Sequence, residues 1–196
     1  LEAGAGIGQM TRELLTVDTI GELVSLEPEA KFAERLRAFR PARNVFEGIS
    51  ADLPQDEPWN AVVSINVLEH IEDDEGELAR YRRMLAPRHG RLCLFVPARP
   101  ELHSDMDRDL GHHRRYTRAE LRRKLAAAGF APVKAQYYNL TGYFAWLLLF
   151  RLLHRRKFSR SSVRLFDKVF FPPAHWFETR VCPPPFGQNL LAIAQT

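Results

Sequence analysis

Apolar and polar positions along the chain fall into blocks that read in turn as strands and helices. After an apolar start and a glycine-rich turn, residues 9–16 have the polarity of a short helix that Gly21 closes off. The run GELVSLE, residues 21–27, is apolar and ends on an acid, which predicts a second strand. Residues 28–39 predict a helix, and NVFEGIS, residues 44–50, a short third strand. Residues 61–67 are nearly continuous in apolar side chains, the pattern of a strand covered on both faces. A charged helix over residues 73–84 leads through a Pro/Gly turn into a fifth apolar strand at 91–98. Thr117 with Glu120 forms a capping box for a helix ending at Gly129. A sixth strand follows at 133–139, and NLLAIAQ, residues 189–195, reads as the last. Strands alternating with helices argue for parallel βαβ units, hence an α/β fold on a doubly wound sheet.

One segment breaks this rhythm. Residues 140–153 are almost uniformly apolar, with Tyr143, Phe144, Trp146 and Phe150 among the leucines, and Arg151, His154, Arg155, Arg156 and Lys157 at their end. That length is too short to span a bilayer. Residues 163–177 add a second apolar stretch carrying Leu165, Phe166, Val169, Phe170, Phe171, Trp176 and Phe177. Two compatible readings stand. The segments form a helical lid, packed on each other or against a second subunit of a homodimer, or their greasy face and basic flank rest on an anionic membrane surface. The chain thus divides into a core at 1–139, an apolar helical insertion at 140–188 and a final core strand at 189–196.

Composition narrows the classes. At 196 residues the chain has room for one sizeable core. A net charge of +4 admits an anionic acceptor or membrane surface. The basic residues are scattered and carry no RNA-binding motif, which argues against nucleic acid as partner. Cys93 and Cys182 are far apart, and Cys93, inside LCLFV, reads as a buried thiol. A reducing, cytoplasmic setting fits best, with the inner membrane face as the peripheral alternative. Because Leu1 falls inside what reads as the first strand, the sequence is expected to be an N-terminal truncation that lacks a lead-in helix.

The chemistry concentrates at the glycine turn. Gly4, Gly6 and Gly8 follow Glu2, and ligands of open parallel sheets bind at such turns, outside the carboxyl ends of the strands. A dinucleotide fingerprint would require G-x-G-x-x-G, whereas here the third glycine comes one residue early and Gln9 stands in its place. Glu27, about twenty residues on, can accept both hydroxyls of a ribose, or else cap the helix that follows. At the end of the fourth strand, His70 can act as a general base or hold its loop. The histidines His103, His112 and His113 have no H-x-x-x-H or H-E-x-x-H spacing, so no metal is expected.

The opening LEAGAGIGQM resembles the first motif of class I S-adenosylmethionine (SAM) methyltransferases, and NVLEHI at 66–71 resembles their fourth. The turn at 86–90 is similar to the family's approach to its fifth strand, and GHHRRYT at 111–117 resembles the GH-x-RRY loop of a bacterial subgroup linked to glycan or lipid modification. The resemblance implies a Rossmann-like sheet, mostly parallel, with the last strand antiparallel beside the sixth. It implies SAM held by Glu2, Ala3, Gly4, Ala5, Gly6 and Gly8, by Glu27 and Pro28 at the ribose, by Asp52 and Leu53 at the adenine, and by Asn66. Methyl transfer to an oxygen or nitrogen of a small apolar, aromatic or lipid- or glycan-linked acceptor would follow, with His70 or His112 as base. Arg114, Arg115 and Tyr116 would contact the acceptor, unless the arginines pair with Asp105, Asp107 or Asp109. The competing reading is a non-catalytic SAM-fold protein acting as a membrane-associated interaction module. It predicts damage at Gly4, Gly6, Glu27 or Asp52, and all four stand intact. A nicotinamide-dependent oxidoreductase would need a dinucleotide fingerprint and a Tyr-x-x-x-Lys motif, neither of which is present.

Overall fold

A computed structural model describes residues 1–54, 57–155 and 164–196. Arg156, Lys157 and Val163 of the apolar insertion lie outside the described residues. Seven strands form one sheet: β1 (Glu2–Ala3), β2 (Ser25–Glu27), β3 (Val45–Glu47), β4 (Ala61–Ile65), β5 (Arg91–Pro97), β6 (Ala131–Tyr138) and β7 (Asn189–Gln195). Their spatial order is β3-β2-β1-β4-β5-β7-β6. From β3 through β5 all neighbours are parallel, with Ala3 opposite both Leu26 and Ser64 and Ile65 opposite Phe95. β7 runs antiparallel between β5 and β6, setting Leu191 against Phe95 and Gln136. The order reverses between β1 and β4, so a crevice opens beyond their carboxyl ends, where an open sheet binds its ligand.

The strands are shorter than the apolar runs suggest. β2 starts only at Ser25 because the carbonyl of Leu23 takes its hydrogen bonds from the side chains of Asn44 and Arg40 instead of a ladder. β4 ends at Ile65 because Asn66 turns to φ +52°, outside any strand conformation.

Helices cover both faces: α1 (Gln9–Leu14), α2 (Ala30–Arg37), α3 (Asp74–Leu85), α4 (Asp105–Asp109), α5 (Arg118–Ala127), α6 (Leu140–Trp146) and α7 (Phe171–Arg180). Local chemistry fixes their ends. The Asp73 carboxylate accepts from the Gly76 amide at 2.9 Å, with acids in the first turn of α3 and Arg82 and Arg83 in the last, matching the helix dipole. Thr117 caps α5 by accepting from the amide of Glu120, which is one half of the expected capping box. Leu78, Tyr81, Leu85, Leu121 and Leu125 from α3 and α5 close over Val62, Leu92, Leu94, Leu190 and Ala192 of the sheet as the main core. On the other side Ala5, Ala33, Leu36 and Val45 seat α2 behind the glycine turn.

Within residues 140–188, helix is described over Leu140–Leu152 and Phe166–Arg180. α6 widens into a π-type turn over Leu147–Leu152, and a second such turn, Phe166–Phe170, runs into α7. Trp146 and Phe150 are buried against Leu102 and Met106, and the indole nitrogen donates to the Leu102 carbonyl at 3.2 Å. The opposite face is bare: Phe144, Leu148 and Leu152 are 55, 53 and 62% exposed, and Trp176 and Phe177 of α7 more than half. Glu178 ties the two helices together by accepting the amides of Asn139 and Leu140, both at 2.8 Å, at the start of α6. Among the described residues no helix is long and apolar enough to cross a membrane.

Candidate active site

Between β1 and α1 the chain needs a turn that only glycine makes easily. Gly4 sits at φ +72° with its α-carbon so near Val67 that a β-carbon there would lie 2.3 Å from Val67 Cγ2. Gly6, at φ +56°, faces open space. The turn wraps a cavity of about 380 Å³ lined by Glu2, Ala3, Gly4, Ala5, Gly6, Ile7, Gln9, Met10, Val63, Ile65 and Asn66.

Two carboxylates frame it. Glu2 is buried and accepts from Thr11 Oγ1 at 2.7 Å and Ser25 Oγ at 2.9 Å, both on Oε2. Its other oxygen, Oε1, has no partner among the described residues, and burial pushes the carboxyl above its ordinary range. Glu27 accepts from the Gly6 amide at 2.7 Å and from the Glu29 amide at 2.9 Å, which pins the glycine turn to the end of β2. It binds the amide of Glu29, the residue that precedes α2, without capping the helix, and it lies against the turn that lines the cavity.

Six of the expected cofactor residues line the cavity, namely Glu2, Ala3, Gly4, Ala5, Gly6 and Asn66. Gly8, Glu27, Pro28, Asp52 and Leu53 lie outside its lining. Asp52 is exposed and accepts from the Ile49 amide at 2.9 Å. Leu53 is buried in the main core.

A second constellation forms where β4 gives way to a short turn at Leu68–His70. Glu69 is fully buried, and among the described residues neither of its carboxylate oxygens has a hydrogen-bond partner. Burial pushes its carboxyl up to about 7. His70 beside it is exposed and donates from Nδ1 to the Gly111 carbonyl at 3.2 Å, which leaves Nε2 open. Burial and the neighbouring His112 lower its pKa. His112 packs edge-on to His70 with ring centres 4.7 Å apart and donates from Nδ1 to Asp107 at 3.0 Å. Its Nε2 lies 3.9 Å from Glu69 Oε1. Burial opposes the charge on Asp107, but hydrogen bonds from His112, Arg115 and Ser104 hold that carboxyl down at about 2.

The residues expected to contact the acceptor point inward. Arg115 is buried, donating to Asp107 at 2.8 Å and to the Ala98 carbonyl at 3.2 Å, with its guanidinium 4.5 Å over the Trp146 ring. Arg114 pairs with Asp74 at 2.8 Å and donates to the Glu72 carbonyl. Tyr116 is buried, with its hydroxyl 2.8 Å from Asp74. The GHHRRY loop is thus bolted to α3 and α4, and His112 is the member of it delivered to the site. Of the acids considered for the arginines, Asp107 is the partner of Arg115; Arg114 takes one from α3 that its spacing gave no reason to suspect.

A third feature is not visible in any motif. Phe95, Tyr138, Asn139, Phe171, His175, Asn189 and Leu191 line a mostly apolar cavity of about 390 Å³ between the sheet and α7. Its lining comes from four separate stretches of chain, so only the folded topology reveals it.

A family described as "methyltransferase domain" matches residues 1–135. No curated protein shows significant sequence similarity to the chain. Among solved structures, one similar chain belongs to the complex of the Haloferax volcanii Trm112 methyltransferase activator with a methyltransferase. It has a TM-score of 0.64 and 20% identity over 99% of this chain and 79% of that one. An S-adenosylmethionine-dependent methyltransferase from Mesorhizobium loti has a TM-score of 0.63 and 16% identity over 100% and 89%. A mycolic acid cyclopropane synthase complexed with SAH and CTAB has a TM-score of 0.59 and 16% identity over 100% and 76%.

Proposed function

Since the chain belongs to the methyltransferase-domain family and is a SAM-dependent enzyme, we propose that it methylates an oxygen or nitrogen atom of a small acceptor that is apolar, aromatic, or linked to a lipid or glycan. SAM, when bound, supplies a sulfonium methyl group to a nucleophile.

The glycine-turn cavity fits that donor. The turn leaves room at Gly6, the buried Glu2 presents an oxygen without a partner among the described residues, and Glu27 holds a carboxylate against the Gly6 amide, where ribose hydroxyls would find an acceptor. A carboxylate in that place also disfavours a 2′-phosphate, in line with a nucleoside instead of NADP.

The acceptor reading rests on the cavity beneath α7. Phe95, Tyr138, Phe171 and Leu191 favour an apolar or aromatic body, and Asn139, His175 and Asn189 offer a few polar contacts to orient it. A hydroxyl acceptor gives up its proton at the cluster of Glu69, His70 and His112, which follows directly on Asn66 of the cofactor cavity. Proximity and orientation supply most of the acceleration, since the displacement requires the nucleophile in line with the methyl group. The bare apolar face of α6 and α7 supports a peripheral membrane position, which would bring a lipid-linked acceptor to that cavity.

The test is transfer of a radiolabelled methyl group from SAM to acceptors in bacterial lipid and aromatic-metabolite extracts. The proposal expects label in an organic-soluble product, lowered at least tenfold by Phe171→Asp. Label confined to protein or nucleic acid would contradict it.

A further inference from the structure

We propose that Glu69, His70 and His112 form a divalent transition-metal site at the mouth of the active site. Their liganding atoms lie within 4.8 Å of one another. A cation with nitrogen and oxygen ligands at about 2.1 Å holds such atoms about 3–3.5 Å apart, so closure by about 1 Å completes the set. The turn at residues 68–70 supplies two ligands and the GHHRRY loop the third, which is why no local spacing in the sequence discloses it.

Three independent features point to a cation. Glu69 is fully buried, yet among the described residues neither carboxylate oxygen has a hydrogen-bond partner, an arrangement costly for a carboxylate unless something else meets it. Each imidazole uses Nδ1 to donate to an oxygen, Asp107 for His112 and the Gly111 carbonyl for His70, as metal-binding histidines do, and among the described residues neither Nε2 has a hydrogen-bond partner. The charges also leave room, because Asp107 is matched by Arg115 at 2.8 Å while, among the described residues, Glu69 has no cationic side chain at salt-bridge distance apart from His112. Two imidazoles and one carboxylate favour zinc, manganese, iron or cobalt over magnesium or calcium. Three protein ligands leave positions open, as in catalytic sites.

What the cation does rests on the methyltransferase reading; its binding does not. Its open positions take the oxygen of a hydroxyl acceptor, lower the pKa of that hydroxyl and so release its proton to solvent before methyl transfer. This makes the acceptor an alcohol, phenol or vicinal diol instead of an amine.

The full chain, stripped with chelator, is titrated with Co²⁺ and followed by visible absorption, without SAM or acceptor. One equivalent with d–d bands is expected. Binding should weaken at least tenfold in Glu69→Gln, His70→Ala and His112→Ala, each checked for folding by circular dichroism and Tm, and persist in His89→Ala, whose histidine is on an exposed turn before β5. His70 is exposed, so its variant keeps the test decisive if changes at buried Glu69 unfold the chain. No binding by the wild type, or binding unchanged in a folded His70→Ala, overturns the site. Because the readout needs no SAM, its failure leaves the methyltransferase reading intact, while failure of SAM binding leaves the site standing.

Discussion

At the scale of single residues, the glycine turn makes the sharpest contrast. Gly4→Ala places a methyl group against Val67 and strains a left-handed backbone, so it should cost about 2–4 kcal/mol. Gly6→Ala meets nothing and should cost only the backbone strain, about 1–2 kcal/mol. Urea unfolding of the two variants checks the order; a milder Gly4→Ala would refute the packing. Asp74 gathers Lys124 at 2.7 Å, Arg114 at 2.8 Å and the Tyr116 hydroxyl at 2.8 Å. Burial opposes its ionisation, but hydrogen bonds from Lys124 and Tyr116 outweigh it and hold the carboxyl below its usual range. The folded pKa is depressed, so the stability it contributes is present above about pH 4 and is lost as pH falls through the folded value. Asp74→Asn should lose about 3 kcal/mol at neutral pH and show a shallower acid transition than wild type in pH-dependent unfolding. An unchanged acid limb would contradict that role. Glu2, Gly4 and Gly6 were legible in the sequence because a tight turn restricts residue type locally. Thr11 and Ser25, which hold Glu2, and Asp107, which holds His112, were not, since each reaches its partner through the fold.

At the scale of elements, alternation of apolar runs revealed every strand and most helices. α4 escaped because DMDRD has no apolar stripe: it turns one apolar residue, Met106, and the charged Asp107 inward. Arg115 and Tyr116 read as ligand contacts because a sequence does not reveal which side of a loop faces the core. The docking of α6 is likewise tertiary. Its Trp146 lies between Leu102 and the Arg115 guanidinium, and its first turn depends on Glu178 of α7. Glu178→Ala leaves two partly buried amides unpaired, worth about 1–3 kcal/mol locally. Limited proteolysis should then cut between residues 140 and 180 several times faster while the sheet stays protected by hydrogen exchange. Equal cleavage rates in both proteins would show that α6 and α7 dock without this carboxylate.

At the scale of the whole molecule, the mostly parallel sheet and its antiparallel last strand beside the sixth were legible from βαβ rhythm plus two motifs, and the glycine-turn cavity sits where the strand order reverses. The cavity under α7 was not, because it exists only once β5, β6, β7 and α7 converge. The bare apolar face of the insertion predicts binding to vesicles containing anionic lipid, weakened at least fivefold by Trp176→Ser with Phe177→Ser in cosedimentation. Equal pelleting of the double variant would assign that face to something other than a membrane. The central claim is that the glycine turn and Glu27 bind SAM. Calorimetric titration tests it most directly. The account predicts one equivalent of SAM on the wild type and at least tenfold weaker binding by a Glu27→Ala variant whose fold is confirmed by circular dichroism. No heat of binding on the folded wild type, or equal affinity in the variant, would contradict it.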